Sequence, residues 1–305
     1  VDRDFPSWLA RQLPAGYRRR FFTAEPAGAP KATIHFMEWG SPDGYPVLMQ
    51  HGNPTWGFLY RKIVGRLLHK NFRFIVPDLA GLGFSSKFQS YGVHTLDHHA
   101  AWIGALIDAL ELKSLLFVGQ DWGGPIGISS LASRPQLLKG LVILNTVLSP
   151  PGENFRPTAF HRFANKPLVS DFAFRVLGYP QRALGRAQGD PASIAGDVAR
   201  AYRYPLCGLW RNAGPLALAR MVPSSGSHPS VRGLTACRDY LSGFNGPTAI
   251  VWGEKDPVLG RHLQRMQEQF PRADLTRTGG GHFIQEEFDQ LIANKIEAVA
   301  GLAGV

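Results

Sequence analysis

The sequence predicts an α/β fold: a mostly parallel central sheet with helices on both faces, interrupted by an inserted helical cap. Three observations lead there. Apolar strand signals alternate with helical segments along most of the 305 residues, the order that parallel sheets require. The run Leu115-Leu116-Phe117-Val118 is apolar at every position, as a strand buried on both faces should be. Late in the chain, about a hundred residues separate two consecutive strand signals, far beyond an ordinary connection, so the surplus must be a structured insertion.

In chain order, strands are expected at 32–39, 47–50, 72–77, 115–118, 141–147, 247–252 and 274–278. Helices should fill 58–68, 95–110, 125–133, 234–242, 261–270 and 283–302. On 95–110 the residues Leu96, Ala100, Ile103, Ile107 and Leu110 mark one buried stripe, which leaves His94, His98 and His99 near the start and flank rather than in a metal site. The segment 283–302 reads as a final amphipathic helix. Pro150, Pro151, Pro157, Pro167, Gly178, Pro180, Gly185, Gly189 and Pro191 divide the insertion into short helical pieces. The reading is therefore one core domain from 1–148 and 227–305 with a cap from 149–226. No internal repeat is present.

Composition narrows the function class. An apolar content of 44% with 18% charged residues is ordinary for a water-soluble enzyme. No apolar stretch is long enough to span a membrane or to act as a signal segment, so the expectation is a cytoplasmic protein with no membrane partner. Cys207 and Cys237 have no metal spacing and read as small buried hydrophobes. The net charge of +10 raises the question of nucleic acid, but Arg18-Arg19-Arg20 is the one basic run and no recognition module accompanies it; no nucleic-acid partner is expected.

The chemistry concentrates at Gly119-Gln120-Asp121-Trp122-Gly123-Gly124. Small residues flanking a central side chain after a buried strand describe the sharp strand-to-helix turn that presents a nucleophile at a sheet edge. Here the nucleophile position holds an aspartate. Serine attacking an alkyl carbon would leave an ether that water cannot cleave. Aspartate leaves an ester, which water can hydrolyse to restore the carboxylate. The turn thus points to displacement at sp³ carbon.

Such chemistry needs a base and an orienting acid at later strand ends, in the order nucleophile, acid, histidine. Asp256 follows the strand at 247–252 and His282 follows that at 274–278. Asp121 is the candidate nucleophile, His282 the base for the water that opens the ester, and Asp256 the residue that holds the imidazole. Upstream, His51-Gly52-Asn53-Pro54-Thr55-Trp56 follows a strand at the place that supplies an oxyanion-hole amide in this kind of fold, so the backbone N–H groups of Asn53 and Trp122 form the expected pair.

With these motifs the sequence resembles the haloalkane dehalogenases of the α/β-hydrolase superfamily. HGNPTW (51–56), PDLAGLGFSSK (77–87), GQDWGG (119–124) and GGGHF (279–283) carry the resemblance, which runs from Ile34 to the final helix and is weakest between 150 and 226. It implies hydrolysis of a haloalkane to an alcohol and halide through an alkyl-aspartate ester, with no cofactor and no metal. It also implies a halide clamp formed by the Asn53 amide and the Trp122 indole N–H, with Trp210 of the cap as the other donor to weigh. The partners are then a small halogenated hydrocarbon, water and halide, with association into a homo-oligomer left open. One departure stands out: where a large group of these enzymes has a glutamate after the strand before the cap, this chain has Asn145, so the acid falls to Asp256 rather than to Glu254. Two alternatives share the scaffold. An epoxide hydrolase would use the same triad with cap phenols, for which Tyr179, Tyr202 and Tyr204 are available. A non-enzymatic binding protein would typically have lost a triad member.

Overall fold

The computed structural model describes residues 4–152, 156, 158–208, 211 and 213–305. Its centre is an eight-stranded sheet built from β1 (Arg18–Ala24), β2 (Ala32–Gly40), β3 (Tyr45–Gln50), β4 (Phe72–Pro77), β5 (Leu115–Gln120), β6 (Leu138–Leu144), β7 (Thr248–Gly253) and β8 (Asp274–Thr278). They lie in the order β1-β2-β4-β3-β5-β6-β7-β8. β1 and β2 pair antiparallel, as do β2 and β4, and every later pairing is parallel. The order reverses at β3, which is flanked by β4 on one side and β5 on the other. The carboxyl ends of β3 and β5 therefore frame the crevice where open α/β sheets place their ligands.

Both faces are covered, and the strand period shows how. Leu115 and Phe117 join one apolar cluster, while Leu116 and Val118 join the other. The first cluster packs against helices α3 (Leu96–Ala109), α4 (Gly123–Ala132), α9 (Ser230–Ser242) and α10 (Leu263–Gln269). The second packs against α1 (Ser7–Ala10), α2 (Arg61–Leu67) and α11 (Asp289–Leu302). Each fully buried Leu, Val, Ile or Phe adds roughly 1.5–3 kcal/mol of apolar transfer, which fixes the sheet as a rigid platform.

Several expectations are corrected. No strand was expected before residue 32, yet Arg18-Arg19-Arg20 begins β1: Arg20 Nε pairs with Glu38 at 2.5 Å and both Nη atoms of Arg18 donate to the Gly40 carbonyl. β6 ends at Leu144 rather than 147, because Asn145 turns to φ 32° and gives its carbonyl to the Asp121 N–H. The last helix begins at Asp289 rather than 283, since Ile284–Glu286 forms a separate 3-10 turn and Phe288, at φ -130° and ψ 39°, leaves the helical region just before Asp289. His99 is buried in contact with His94, so the stripe of α3 includes a histidine that the pattern placed on its flank. Cys237 is buried, but Cys207 is exposed.

Between β6 and α9 the described residues form α5 (Ala159–Ala164), α6 (Val169–Asp171), α7 (Gly196–Arg203), α8 (Ala213–Arg220) and short 3-10 turns, with no strand. This insertion is tied down by polar contacts. Trp56 Nε1 donates to the Ala201 carbonyl at 3.0 Å, and the buried Tyr202 hydroxyl donates to Glu286 at 2.6 Å. Glu286 in turn accepts from Arg61. Breaking one partner of such a buried cluster costs several kcal/mol, so the insertion stays seated over the carboxyl edge of the sheet. No helix among the described residues is long and apolar enough to cross a membrane.

Candidate active site

Asp121 sits between the last residue of β5 and the first turn of α4, with φ 49°. A non-glycine residue in that region costs of order 1–3 kcal/mol and persists only where neighbours fix it. Here its N–H donates to the Asn145 carbonyl at 3.0 Å, and its own carbonyl accepts from Gly124 N–H at 3.1 Å and Thr146 Oγ1 at 2.6 Å. The adjoining glycines are required by space. A Cβ on Gly123 would stand 2.1 Å from the Gln50 carbonyl oxygen, and one on Gly52 would stand 2.4 Å from Asp121 Oδ1. The exit turn of β3 is thus pressed against the carboxylate, and Asn53 N–H donates to Asp121 Oδ1 at 2.7 Å.

His282 Nε2 lies 3.7 Å from Asp121 Oδ2, and Nδ1 is hydrogen-bonded to Asp256 Oδ2 at 2.7 Å. The Gln120 amide donates to the His282 carbonyl at 3.1 Å. Asp256 is anchored in turn: Oδ1 accepts from the Val258 and Leu259 N–H groups, and Oδ2 accepts from Asn145 Nδ2 at 2.8 Å. The three groups share one electrostatic logic. Burial raises the Asp121 carboxyl, against the lowering effects of His282 and the Trp122 and Asn53 amides. Burial pushes the other way on His282, yet the Asp256 and Asp121 charges hold its imidazole above the ordinary histidine value. Burial likewise opposes the charge on Asp256, but His282 and the donors around it keep that carboxyl below the usual range.

Asp121, Trp122, Asn53 and His282 line one cavity of about 370 Å³ beneath the insertion, with Phe160 and Tyr179 among its apolar walls. That size suits a small organic molecule. Trp122 Nε1 bonds to no described residue and so is free to meet a ligand. Asn53 Nδ2 donates to the Pro215 carbonyl at 3.0 Å, which orients the amide and leaves its second N–H. Trp210 lies outside the described residues. Of the three cap phenols, Tyr179 lines the cavity, Tyr202 is committed to Glu286 and Tyr204 is on the surface against Trp8.

Residues 45–289 match the family of the alpha/beta hydrolase fold. The haloalkane dehalogenase of Mycobacterium marinum is 31% identical over 88% of this chain and 88% of its own length. The chain belongs to the haloalkane dehalogenase family. A second dehalogenase, from Psychrobacter cryohalolentis, is 30% identical over 85% of this chain and 84% of its own length. Among solved structures, the dehalogenase DbeA from Bradyrhizobium elkani superposes with a TM-score of 0.79 at 25% identity, covering 94% of this chain and 99% of that one. DatA from Agrobacterium tumefaciens gives a TM-score of 0.81 at 23% identity over 95% and 99%, a likeness of fold.

Within this haloalkane dehalogenase scaffold, sequence reasoning read one site residue only by the charge it lacks and missed another. Asn145 marks where a glutamate is absent, but its work is to join three strand ends: its carbonyl holds Asp121, its Oδ1 accepts from Gly253 N–H at 2.7 Å, and its Nδ2 reaches Asp256. Its position immediately after β6 was the available signal. His161, from the insertion, lines the cavity, with its Nδ1 against Thr158 Oγ1 at 2.8 Å. Burial, with Arg261 nearby, pushes its imidazole down to about 4, so it is neutral at physiological pH. No pattern in the sequence separates it from a surface histidine.

Proposed function

We propose that this chain hydrolyses small haloalkanes in two steps, with Asp121 as nucleophile, His282 as base and Asp256 as orienting acid. The observation that carries the reading is the split environment of one carboxylate, with Oδ1 on the Asn53 amide and Oδ2 facing His282 Nε2. In the first step a carboxylate oxygen attacks the carbon bearing the halogen, a C–O bond forms, and the C–X pair leaves with the halide. A desolvated anion needs donors, which the Trp122 indole N–H and the second Asn53 amide N–H supply. In the second step His282 Nε2 takes a proton from water as it attacks the ester carbon. The gap of 3.7 Å between the imidazole and the carboxylate is short for a water between them in one plane but ample for one to the side. The oxyanion then forms where the Asn53 and Trp122 backbone N–H groups already point, and its collapse expels the alcohol and restores Asp121. Residues 149–226 act as the cap that keeps bulk water from the ester until the base delivers it.

The deciding experiment is His282→Phe. The variant should release one equivalent of halide and stop, and its intact mass should rise by the alkyl group, mapped to Asp121. A variant that binds substrate yet forms no adduct would refute the two-step scheme.

A further inference from the structure

The exposed face of the insertion carries a feature that catalysis does not use. Leu168 is 82% exposed, and Val169, Phe172, Val176 and Leu177 are each about half exposed. Val169, Phe172 and Val176 recur at helical spacing through α6 and the π-helical turn Phe172–Val176, so they form one outward stripe. Large apolar side chains gathered like this on a surface mark an interaction site rather than background.

The surroundings of the stripe are cationic. Val176 forms one wall of a cleft of about 370 Å³ whose other walls include Arg182, Arg200 and Arg203, and the exposed Lys166 precedes Leu168 by two residues. Lys166, Arg182 and Arg203 pair with no carboxylate among the described residues. The nearest acids are already engaged, Asp171 with Arg220 and Tyr91, and Asp197 with Arg200. The insertion as a whole, 149–226, contains ten Arg and Lys against four Asp and Glu, so it holds most of the excess positive charge of the chain.

We propose that this face docks on an anionic phospholipid bilayer, with the Leu168–Leu177 stripe at the acyl boundary and Arg182 and Arg203 of the cleft holding lipid phosphate. Exposed apolar side chains bordered by arginine and lysine are the combination that such a surface rewards twice, by apolar burial and by attraction to the headgroups. A second copy of the chain fits poorly, because it would bring two positively charged faces together. That no helix among the described residues is long and apolar enough to cross a membrane does not bear on peripheral binding. The location also suits an enzyme of this family. Phe174, on the inner side of the same turn, packs on Phe160 and Tyr179, which line the cavity, so apolar molecules dissolved in the bilayer would meet the protein close to its pocket.

The test is cosedimentation of the full chain with vesicles of mixed phosphatidylglycerol and phosphatidylcholine, and with vesicles of phosphatidylcholine alone. Binding should occur with the anionic vesicles and be stripped by high salt. Arg182→Gln with Arg203→Gln should weaken it roughly 25-fold, at about fivefold per cation. Phe172→Ser with Val176→Ser should also abolish most of it. Haloalkane turnover without vesicles should be unchanged in both double variants, which separates loss of docking from loss of fold and from any failure of the catalytic reading. Absence of binding, equal binding to both vesicle types, or indifference to either pair of substitutions would overturn the proposal. So would a concentration-dependent dimer that Phe172→Ser dissolves, since the occupant would then be a second copy.

Discussion

On the proposed mechanism, replacing Asp256 with asparagine should isolate the second chemical step. The carboxylate lies 2.7 Å from His282 Nδ1, with the imidazole 5% exposed and the carboxylate fully buried. At that separation, an effective dielectric constant of about 20 gives the imidazolium roughly 6 kcal/mol of stabilisation. Asparagine keeps the size and part of the dipole but not the charge, so the loss should be smaller, equivalent to about 10³- to 10⁴-fold in the rate of ester hydrolysis. Halide release should survive, because the first step uses no base. Rapid-quench measurement would therefore show a full halide burst followed by near-arrest, with the alkylated protein accumulating. The position of Asn145 extends the argument: its Nδ2 is 2.8 Å from the same carboxylate oxygen, so Asn145→Glu added to Asp256→Asn places a new negative charge within reach of the imidazole and should recover part of the rate. Steady-state turnover within tenfold of wild type in Asp256→Asn would refute the assignment of the acid.

Glu254→Gln should leave turnover unchanged, since Glu254 is exposed with Arg277 3.7 Å away, an arrangement worth at most about 1 kcal/mol; a dead variant would move the acid to Glu254. The pH limb of ester hydrolysis, followed in single turnovers, should shift to lower pH in Asp256→Asn, because burial lowers the His282 imidazole and the Asp256 charge is what raises it. An unmoved limb would mean that another group titrates. Trp122→Phe should slow carbon–halogen cleavage by about a hundredfold while leaving hydrolysis of a preformed ester intact, since the indole N–H acts only on the departing anion. Equal loss in both steps would assign Trp122 to packing instead.

How much of this was legible in the sequence depended on the range of the interactions involved. The turn holding Asp121 and the loops holding Asp256 and His282 are set by residues within a few positions of each, and the structure brings all three together with Asn53 and Trp122 at one crevice. β1 was missed because its Arg-Arg-Arg-Phe-Phe-Thr-Ala sequence is that of a half-exposed edge, where apolar patterning is weak and charged residues protect the unpaired side. The start of α11 was misplaced because the non-helical turn of the backbone at Phe288, which separates the 3-10 turn Ile284–Glu286 from Asp289, has no signature in the apolar pattern of 283–302. His99 and His161 followed the same rule, their burial decided by packing that no local periodicity records.

Asn145 shows why a departure from a family pattern can hold more information than a match. The exit of β6 lies between the exits of β5 and β7, so whatever side chain stands there touches both the nucleophile turn and the loop of Asp256. A carboxylate at both 145 and 256 would set two negative charges within hydrogen-bonding distance in a buried site, and one would take up a proton. Two ionised carboxylates are therefore not favoured side by side at these positions. Once Asp256 is the acid, the best neighbour is a neutral donor of matching reach, which also satisfies the Gly253 backbone through its own amide oxygen. Asparagine at 145 is thus the counterpart of aspartate at 256: after His282 and the Leu259 N–H, the Asn145 amide adds to the donors that hold the carboxyl below its usual range, and on the proposed mechanism that carboxylate orients the histidine.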